Sequence, residues 1–268
     1  MSNEHMVKPG SKVSLKDFPP DYTGKYRRKE QAEEDLGAGC DELVRLQELL
    51  YAEHKHSILI VLQAMDTAGK DGTIRHVMSG VNPQGCSVTA FKAPTPEELD
   101  HDYLWRVHKA VPPKGMIGIF NRSYYEDVLI VRVHKLVPEK VWRQRYEQIN
   151  CFEEYLADNG TTILKFYLHI SKEEQKKRLQ ERLDDPRKRW KFALADLAER
   201  KLWPDYMQAY EDMLNRTSTD WAPWYLVPAN NKWYRNLVVA RTIVQTLRKL
   251  DMRYPEPKED LSGVVIAD

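Results

Sequence analysis

Ser57-Ile58-Leu59-Ile60-Val61-Leu62 is a continuous apolar run, whereas the residues just before it place Leu43, Leu46, Leu49 and Leu50 at helical spacing. The first pattern predicts a strand buried on both faces, as in a parallel sheet, and the second a helix over 41–54. The same alternation continues along the chain. Strands are expected at 87–91, 116–120, 161–168 and 224–227, and helices at 95–109, 138–158, 171–183 and 232–250. Alternating strands and helices predict an α/β fold, a doubly wound parallel sheet with helices on both faces, whose ligands gather at the carboxyl ends of the strands. Residues 1–35 mix lysine, proline, glycine and acids without periodicity and are expected to form an arm, on the surface or on a partner subunit. A single domain over 36–255 and a tail over 256–268 complete the expected organisation.

Charge narrows the choice of partners. The 268 residues hold 41 Lys and Arg against 40 Asp and Glu, a net charge of +1, which gives the whole molecule no field for general nucleic-acid binding. A polyanion must therefore meet a local patch. Cys40, Cys86 and Cys151 are odd in number and widely spaced, as expected of reduced thiols in a cytoplasmic protein without a cysteine metal site. No apolar run approaches the ~20 residues of a membrane span, so no membrane partner is expected.

Candidate chemistry begins where the first strand ends. Val61 to Thr73 reads V-L-Q-A-M-D-T-A-G-K-D-G-T, a strand entering a glycine and lysine turn that opens a helix. Such a turn points backbone N–H groups at phosphate oxygens, and its lysine reaches the terminal phosphates. Ala68, Gly69, Lys70, Asp71, Gly72, Thr73 and Arg75 are the expected phosphate contacts. Ala64 replaces the usual first glycine, Asp71 replaces the usual hydroxyl, and Asp66 adds a second carboxylate. Acid beside phosphate is repulsive unless a cation lies between, which predicts a metal-assisted site.

A second element is expected after the strand Ile117-Gly118-Ile119-Phe120, where Asn121-Arg122-Ser123-Tyr124-Tyr125-Glu126-Asp127 follows. Arg122 suits bidentate grip on phosphate oxygens, and Asn121 and Glu126 join Asp66 as expected metal ligands. The segment from Lys176 to Lys191 carries a local charge of +5 and is interrupted by Pro186. It predicts a lid over about 178–200, with Arg178, Arg182, Lys188 and Arg189 gripping phosphate and with Trp190 and Phe192 anchoring the lid. His108 is expected to be structural, and Asn230, Asn231 and Lys232 are weak candidates for a nucleobase contact.

Five motifs in order carry a resemblance: A-M-D-T-A-G-K-D-G-T, D-Y-L-W-R-V-H, F-N-R-S-Y-Y-E-D-V, R-L-D-D-P-R-K-R-W-K-F and A-P-W-Y-L-V-P-A-N-N-K-W-Y-R-N. Together, over roughly residues 10–255, the chain resembles the family-2 polyphosphate kinases. Asn121 with Glu126 resembles their class III branch, which phosphorylates both AMP and ADP. The resemblance implies a P-loop kinase core like that of thymidylate kinase with a helical lid. It implies reversible transfer of the terminal phosphoryl group of inorganic polyphosphate to AMP and ADP, giving ADP and ATP, with Mg²⁺ or Mn²⁺ in its place. A homo-oligomer, dimer or tetramer, is expected. By resemblance Asp66, Lys70, Arg122, Arg178 and Arg182 serve phosphate or metal; with Glu126, the first three form the expected catalytic set. Two alternatives stay open on the residues alone: an ATP-dependent nucleoside monophosphate kinase, and a non-catalytic polyanion-binding protein.

Overall fold

The structure is a computed structural model, and it describes residues 4–266. The first three residues of the expected arm and the last two of the tail lie outside the described residues. Five strands form one parallel sheet in the order β2-β3-β1-β4-β5: β1 (Ser57–Gln63), β2 (Cys86–Ala90), β3 (Ile117–Asn121), β4 (Thr161–His169) and β5 (Trp224–Pro228). All seven residues of β1 are buried, as its unbroken apolar run requires at the centre of a sheet. The register pairs Leu62 of β1 with Asn121 of β3 and Gln63 with Tyr167 of β4. The carboxyl ends of the three central strands therefore align, and the loops that leave them meet.

Among the described residues ten α-helices surround the sheet: α1 (Lys29–Glu53), α2 (Lys70–Val77), α3 (Pro96–Asp100), α4 (Trp105–His108), α5 (Ile130–Val133), α6 (Glu139–Asp158), α7 (Lys172–Asp184), α8 (Leu194–Lys201), α9 (Trp203–Thr217) and α10 (Lys232–Arg248). α1, α2 and α10 pack as one group, and α5, α6 and α9 as another. Between the second group and the sheet, Lys165 of β4 is fully buried. Its Nζ donates to Glu153 Oε2 at 2.5 Å, Tyr125 Oη at 2.8 Å and the Thr217 carbonyl at 2.6 Å. Burial lowers its pKa to about 8, with Glu153 acting in the opposite sense. None of the helices among the described residues is long and apolar enough to cross a membrane.

Two expectations change and a third, the place of the arm, narrows. The helix expected over 95–109 is two short ones, because Asp102 Oδ1 accepts from the Leu104 N–H at 2.9 Å and turns the chain between α3 and α4. Helix α1 begins at Lys29, ahead of both the expected helix start at 41 and the expected domain start at 36. Its first turns hold a Lys29 to Glu33 ion pair and few apolar positions, Ala32 and Leu36 among them, so periodicity was too sparse to show it. The arm lies on its own chain. Met6 bridges Tyr225 in antiparallel fashion, and Val7, Val13 and Leu15 are buried, so the arm covers the edge strand β5.

A candidate phosphate cleft

Between β1 and α2 the chain turns through two left-handed residues, Thr67 at φ 65° and Gly69 at φ 109°. Gly69 caps α2, and glycine is required there twice over: by its backbone angle, and because a Cβ would fall on the guanidinium of Arg235. Lys70, the first residue of α2, is buried and curls back so that Nζ donates to the Ala64 carbonyl at 2.9 Å. Burial, then the neighbouring Arg122 charge, lower its pKa; Asp66, Glu126 and Asp71 act in the opposite sense.

The end of β3 clips this loop at both unusual carboxylates. Arg122 Nη2 donates to Asp66 Oδ1 at 2.7 Å, and Asn121 Nδ2 donates to Asp71 Oδ1 at 2.7 Å. Arg122 has φ 62°, and its N–H donates to the Leu62 carbonyl, which ties β3's last turn to the top of β1. Burial works to lower the Arg122 pKa, but Glu126 and Asp66 outweigh it and the net change is upward. Glu126 lies beneath this layer; burial raises its pKa although Arg122 and Lys70 pull it down.

Two buried arginines support the loop from behind. Arg178, on the inner face of α7, donates to Glu174 Oε1 and to four backbone carbonyls, those of Thr67, Ala68, Ala229 and Asn230, at 2.7 to 3.1 Å. Arg235, in the first turn of α10, donates to the Ala68 carbonyl at 2.9 Å. Gln175 Nε2 adds a bond to the Asp66 carbonyl at 3.1 Å. The Ala68 N–H donates to the Met65 carbonyl at 3.2 Å, and the amino end of α2, with its backbone N–H groups, opens on the cleft through Lys70, Asp71 and Gly72.

Above the loop lies a cleft of about 1100 Å³, open toward the segment after α7. Asp66, Gly69, Lys70, Asp71, Gly72 and Arg75 line its floor, joined by Asn121 and Arg122; Arg182 and Lys188 line its upper wall. These are sequence candidates that the fold brings together. Four others fall elsewhere. Ala68 is fully buried, and Thr73 Oγ1 donates to the Gly69 carbonyl inside the helix. Glu126 is set behind Lys70 and Arg122, and Arg189 Nε turns away to the Leu183 carbonyl at 2.8 Å. Arg178 is a further correction: it reaches the cleft wall, but its hydrogen-bonding capacity is occupied by the protein, so it is no mobile lid cation. Trp190 does not anchor the lid, since it is 78% exposed and stands in the cleft wall.

Of the remaining candidates, His108 packs edge-on against Phe152. Asn230 Oδ1 accepts from the Ser171 N–H and Asn231 Nδ2 donates to the Asp21 carbonyl, so both amides are engaged in the fold; Lys232 lines the cleft. Arg235 is the residue that sequence reading missed. Its one signal was a cation in the first turn of a helix, where the macrodipole disfavours positive charge.

The donor set around Asp66, Asp71 and Asn121 suits a hard divalent ion of the Mg²⁺ kind. That ion is commonly held by one or two carboxylates together with water and substrate phosphates. No cluster of three or more His, Cys, Asp or Glu that could hold a metal ion occurs among the described residues.

Comparison with known proteins places this cleft in context. The family profile described as Polyphosphate kinase 2 (PPK2) matches residues 26–255. The AMP/ADP-polyphosphate phosphotransferase of Meiothermus ruber is 55% identical over 264 residues, covering 98% of this chain and 99% of that one. The ADP-polyphosphate phosphotransferase of Rhodopseudomonas palustris is 48% identical over 267 residues, covering 95% and 92%. The crystal structure of polyphosphate kinase 2 from Arthrobacter aurescens TC1 superposes with a TM-score of 0.92 at 46% identity, covering 98% of this chain and 97% of that one.

Proposed function

The chain belongs to the polyphosphate kinase 2 family, and we propose that its cleft moves the terminal phosphoryl group of inorganic polyphosphate onto AMP and onto ADP, reversibly and with Mg²⁺. The observation that carries this reading is the meeting of Lys70, Arg122 and Asp66 on one floor, with Asn121 and Asp71 joined beside them. Cations for a polyanion and carboxylates for a metal stand within one hydrogen-bonded layer. A binding protein needs only the cations, and its carboxylates would repel the ligand.

In the proposed reaction a phosphate oxygen of the acceptor nucleotide attacks the terminal phosphorus of polyphosphate. The bridging P–O bond breaks, and polyphosphate one unit shorter leaves with the electron pair. The acceptor is already ionised, so no protein nucleophile or strong base is needed. Catalysis then lies in alignment and in neutralising charge. Lys70 leaves the Ala64 carbonyl for a phosphate oxygen, and Arg122, fixed by Asp66, presents its fork to a second. Asp66, with Asp71 and the Asn121 amide oxygen beside it, would hold Mg²⁺. When bound, that ion supplies charge neutralisation between the reacting phosphates. Glu126, below them, keeps Lys70 and Arg122 from repelling each other apart.

Mixing the protein with AMP, polyphosphate and Mg²⁺, without ATP, tests the proposal by product analysis. ADP followed by ATP is expected. Turnover only when ATP is supplied as donor would favour an ATP-dependent monophosphate kinase. Polyphosphate binding that survives EDTA and Lys70→Ala, with no nucleotide product in any mixture, would favour a polyanion-binding protein.

A further inference from the structure

Arg235 is 2% exposed and has no carboxylate among its partners. Its Nη1 donates to the Ala68 carbonyl at 2.9 Å, and Nε and Nη2 donate to Asn236 Oδ1 at 3.1 and 2.9 Å. All of these acceptors are neutral. The charged neighbour acting on it is Arg178, another cation, whose carboxylate Glu174 belongs to its own helix turn. Burial, then Arg178, lower its pKa to about 9, in the same sense as the all-neutral partner set. An arginine buried without a counter-charge is costly, and the cost is relieved when an anion arrives nearby.

The place where an anion would arrive is defined. Arg235 lines the cleft, and a Cβ on Gly72 would lie 3.3 Å from its Nη2. The guanidinium thus sits directly against Gly69 and Gly72 of the phosphate loop.

We infer that Arg235 is a positioning and binding charge for the polyphosphate donor: buried unpaired behind the loop, it draws the chain's phosphates onto the loop N–H groups, and their negative charge completes its own pairing. The proposal rests on the reading of this cleft as the polyphosphate site. It separates Arg235 from Arg178, which has its own carboxylate and holds four carbonyls. Because Arg178 Nη1 also donates to the Ala68 carbonyl, at 3.1 Å, removal of Arg235 leaves that oxygen satisfied.

Thermal unfolding of the full chain in EDTA, with and without tripolyphosphate, tests this for wild type, Arg235→Met and Arg235→Lys, alongside steady-state kinetics with Mg²⁺. Wild type is expected to melt several degrees higher with tripolyphosphate, by linkage to the folded state. Arg235→Met should melt within a few degrees of wild type without anion, because relief of the buried charge offsets the lost bonds to Asn236 Oδ1, lose most of the anion-induced rise, and raise KM for polyphosphate about tenfold while kcat falls by less. Arg235→Lys keeps the charge but not the fork, and should recover most of the rise. A Met variant that fails to fold, melts well below wild type without anion, or keeps the full anion response overturns the proposal in favour of a structural clamp. So does a Lys variant as impaired as Met. If wild type itself shows no response, the reading of the cleft fails, and not merely the role of Arg235.

Discussion

Arg178 and Arg187 belong to the same basic stretch after β4, yet their surroundings are opposite. Arg178 is 5% exposed and bonded to four carbonyls of the cleft floor; the Arg187 side chain is 90% exposed and has Asp185 as its ion-pair partner. The first half of α7 lies against the carboxyl ends of the strands, so its inward cation becomes part of the scaffold. Beyond Asp184 the chain leaves the sheet, and Arg187, Lys188 and Lys191 face the cleft from solvent. The difference teaches that a run of positive charge in a sequence can span two settings, a buried floor that shapes the loop and an exposed cleft wall, which we propose acts as a lid.

If the floor does the chemistry, the largest effect should come from its lysine. Lys70→Ala is expected to lower kcat about a thousandfold, on the order of 4 kcal/mol of transition-state stabilisation, because the charge at the transferring phosphate disappears. Its melting temperature should stay within a few degrees of wild type. Asp66→Asn should lose most of the rate as well, and its residual activity should need more Mg²⁺, read from a metal titration. Near-normal rates in the lysine variant would shift the chemistry away from the floor.

Arg178→Gln should break the comparison at its other end, in stability. Four carbonyls would lose charged donors, and the left-handed turn at Thr67 and Gly69 would lose a support. A loss of about 2 to 4 kcal/mol is expected, with a lower melting temperature and lower activity together. A variant as stable as wild type would mean that Arg178 belongs with the lid after all.

Arg187→Gln with Lys188→Gln should do the reverse. Both side chains are exposed and pair with Asp185 on the surface, so the melting temperature should move by no more than about 1 °C. KM for long polyphosphate should rise about threefold, and the salt dependence of that KM should flatten, because screened charges have been removed. Unchanged KM and unchanged salt sensitivity would make this segment a solvated surface with no role in binding.

Much of this contrast was visible in the chain and part was not. The central strand and the phosphate loop were legible because an unbroken apolar run followed by Gly69 and Lys70 has few other physical uses. Helix α9 carries Tyr206, Ala209, Tyr210, Met213 and Leu214 at helical spacing, but it follows the lid directly and was not separated from it. The start of α1 was hidden by a polar first turn. Arg235 was out of reach for a different reason: its partner carbonyl at Ala68 is 167 residues away, and an unpaired charge is a property of the packed neighbourhood, which no spacing reports. The same holds for Arg178, whose residue type and helix phase fit a ligand contact equally well.

Trp190 gives the smallest expected effect and the finest probe of the two regions. Its indole stands exposed in the cleft wall with Lys191 Nζ 5.0 Å from the ring centroid, an arrangement that contributes no core packing. An apolar ring of this size gains when a closing lid removes it from water, so its contribution should appear only with ligand bound. Trp190→Phe should leave the melting temperature unchanged without ligand and alter KM for polyphosphate by no more than about twofold. Intrinsic fluorescence should separate the variant more clearly. The chain has seven tryptophans, and Trp190 is the one that lines the cleft among the described residues, so a change on adding polyphosphate to wild type should come chiefly from it. That change should vanish in Trp190→Phe while the anion-induced rise in melting temperature, set by the floor, persists. Retention of the full fluorescence change in the variant would place its source at another tryptophan and remove Trp190 from the ligand-bound cleft, leaving the floor alone to hold the anion.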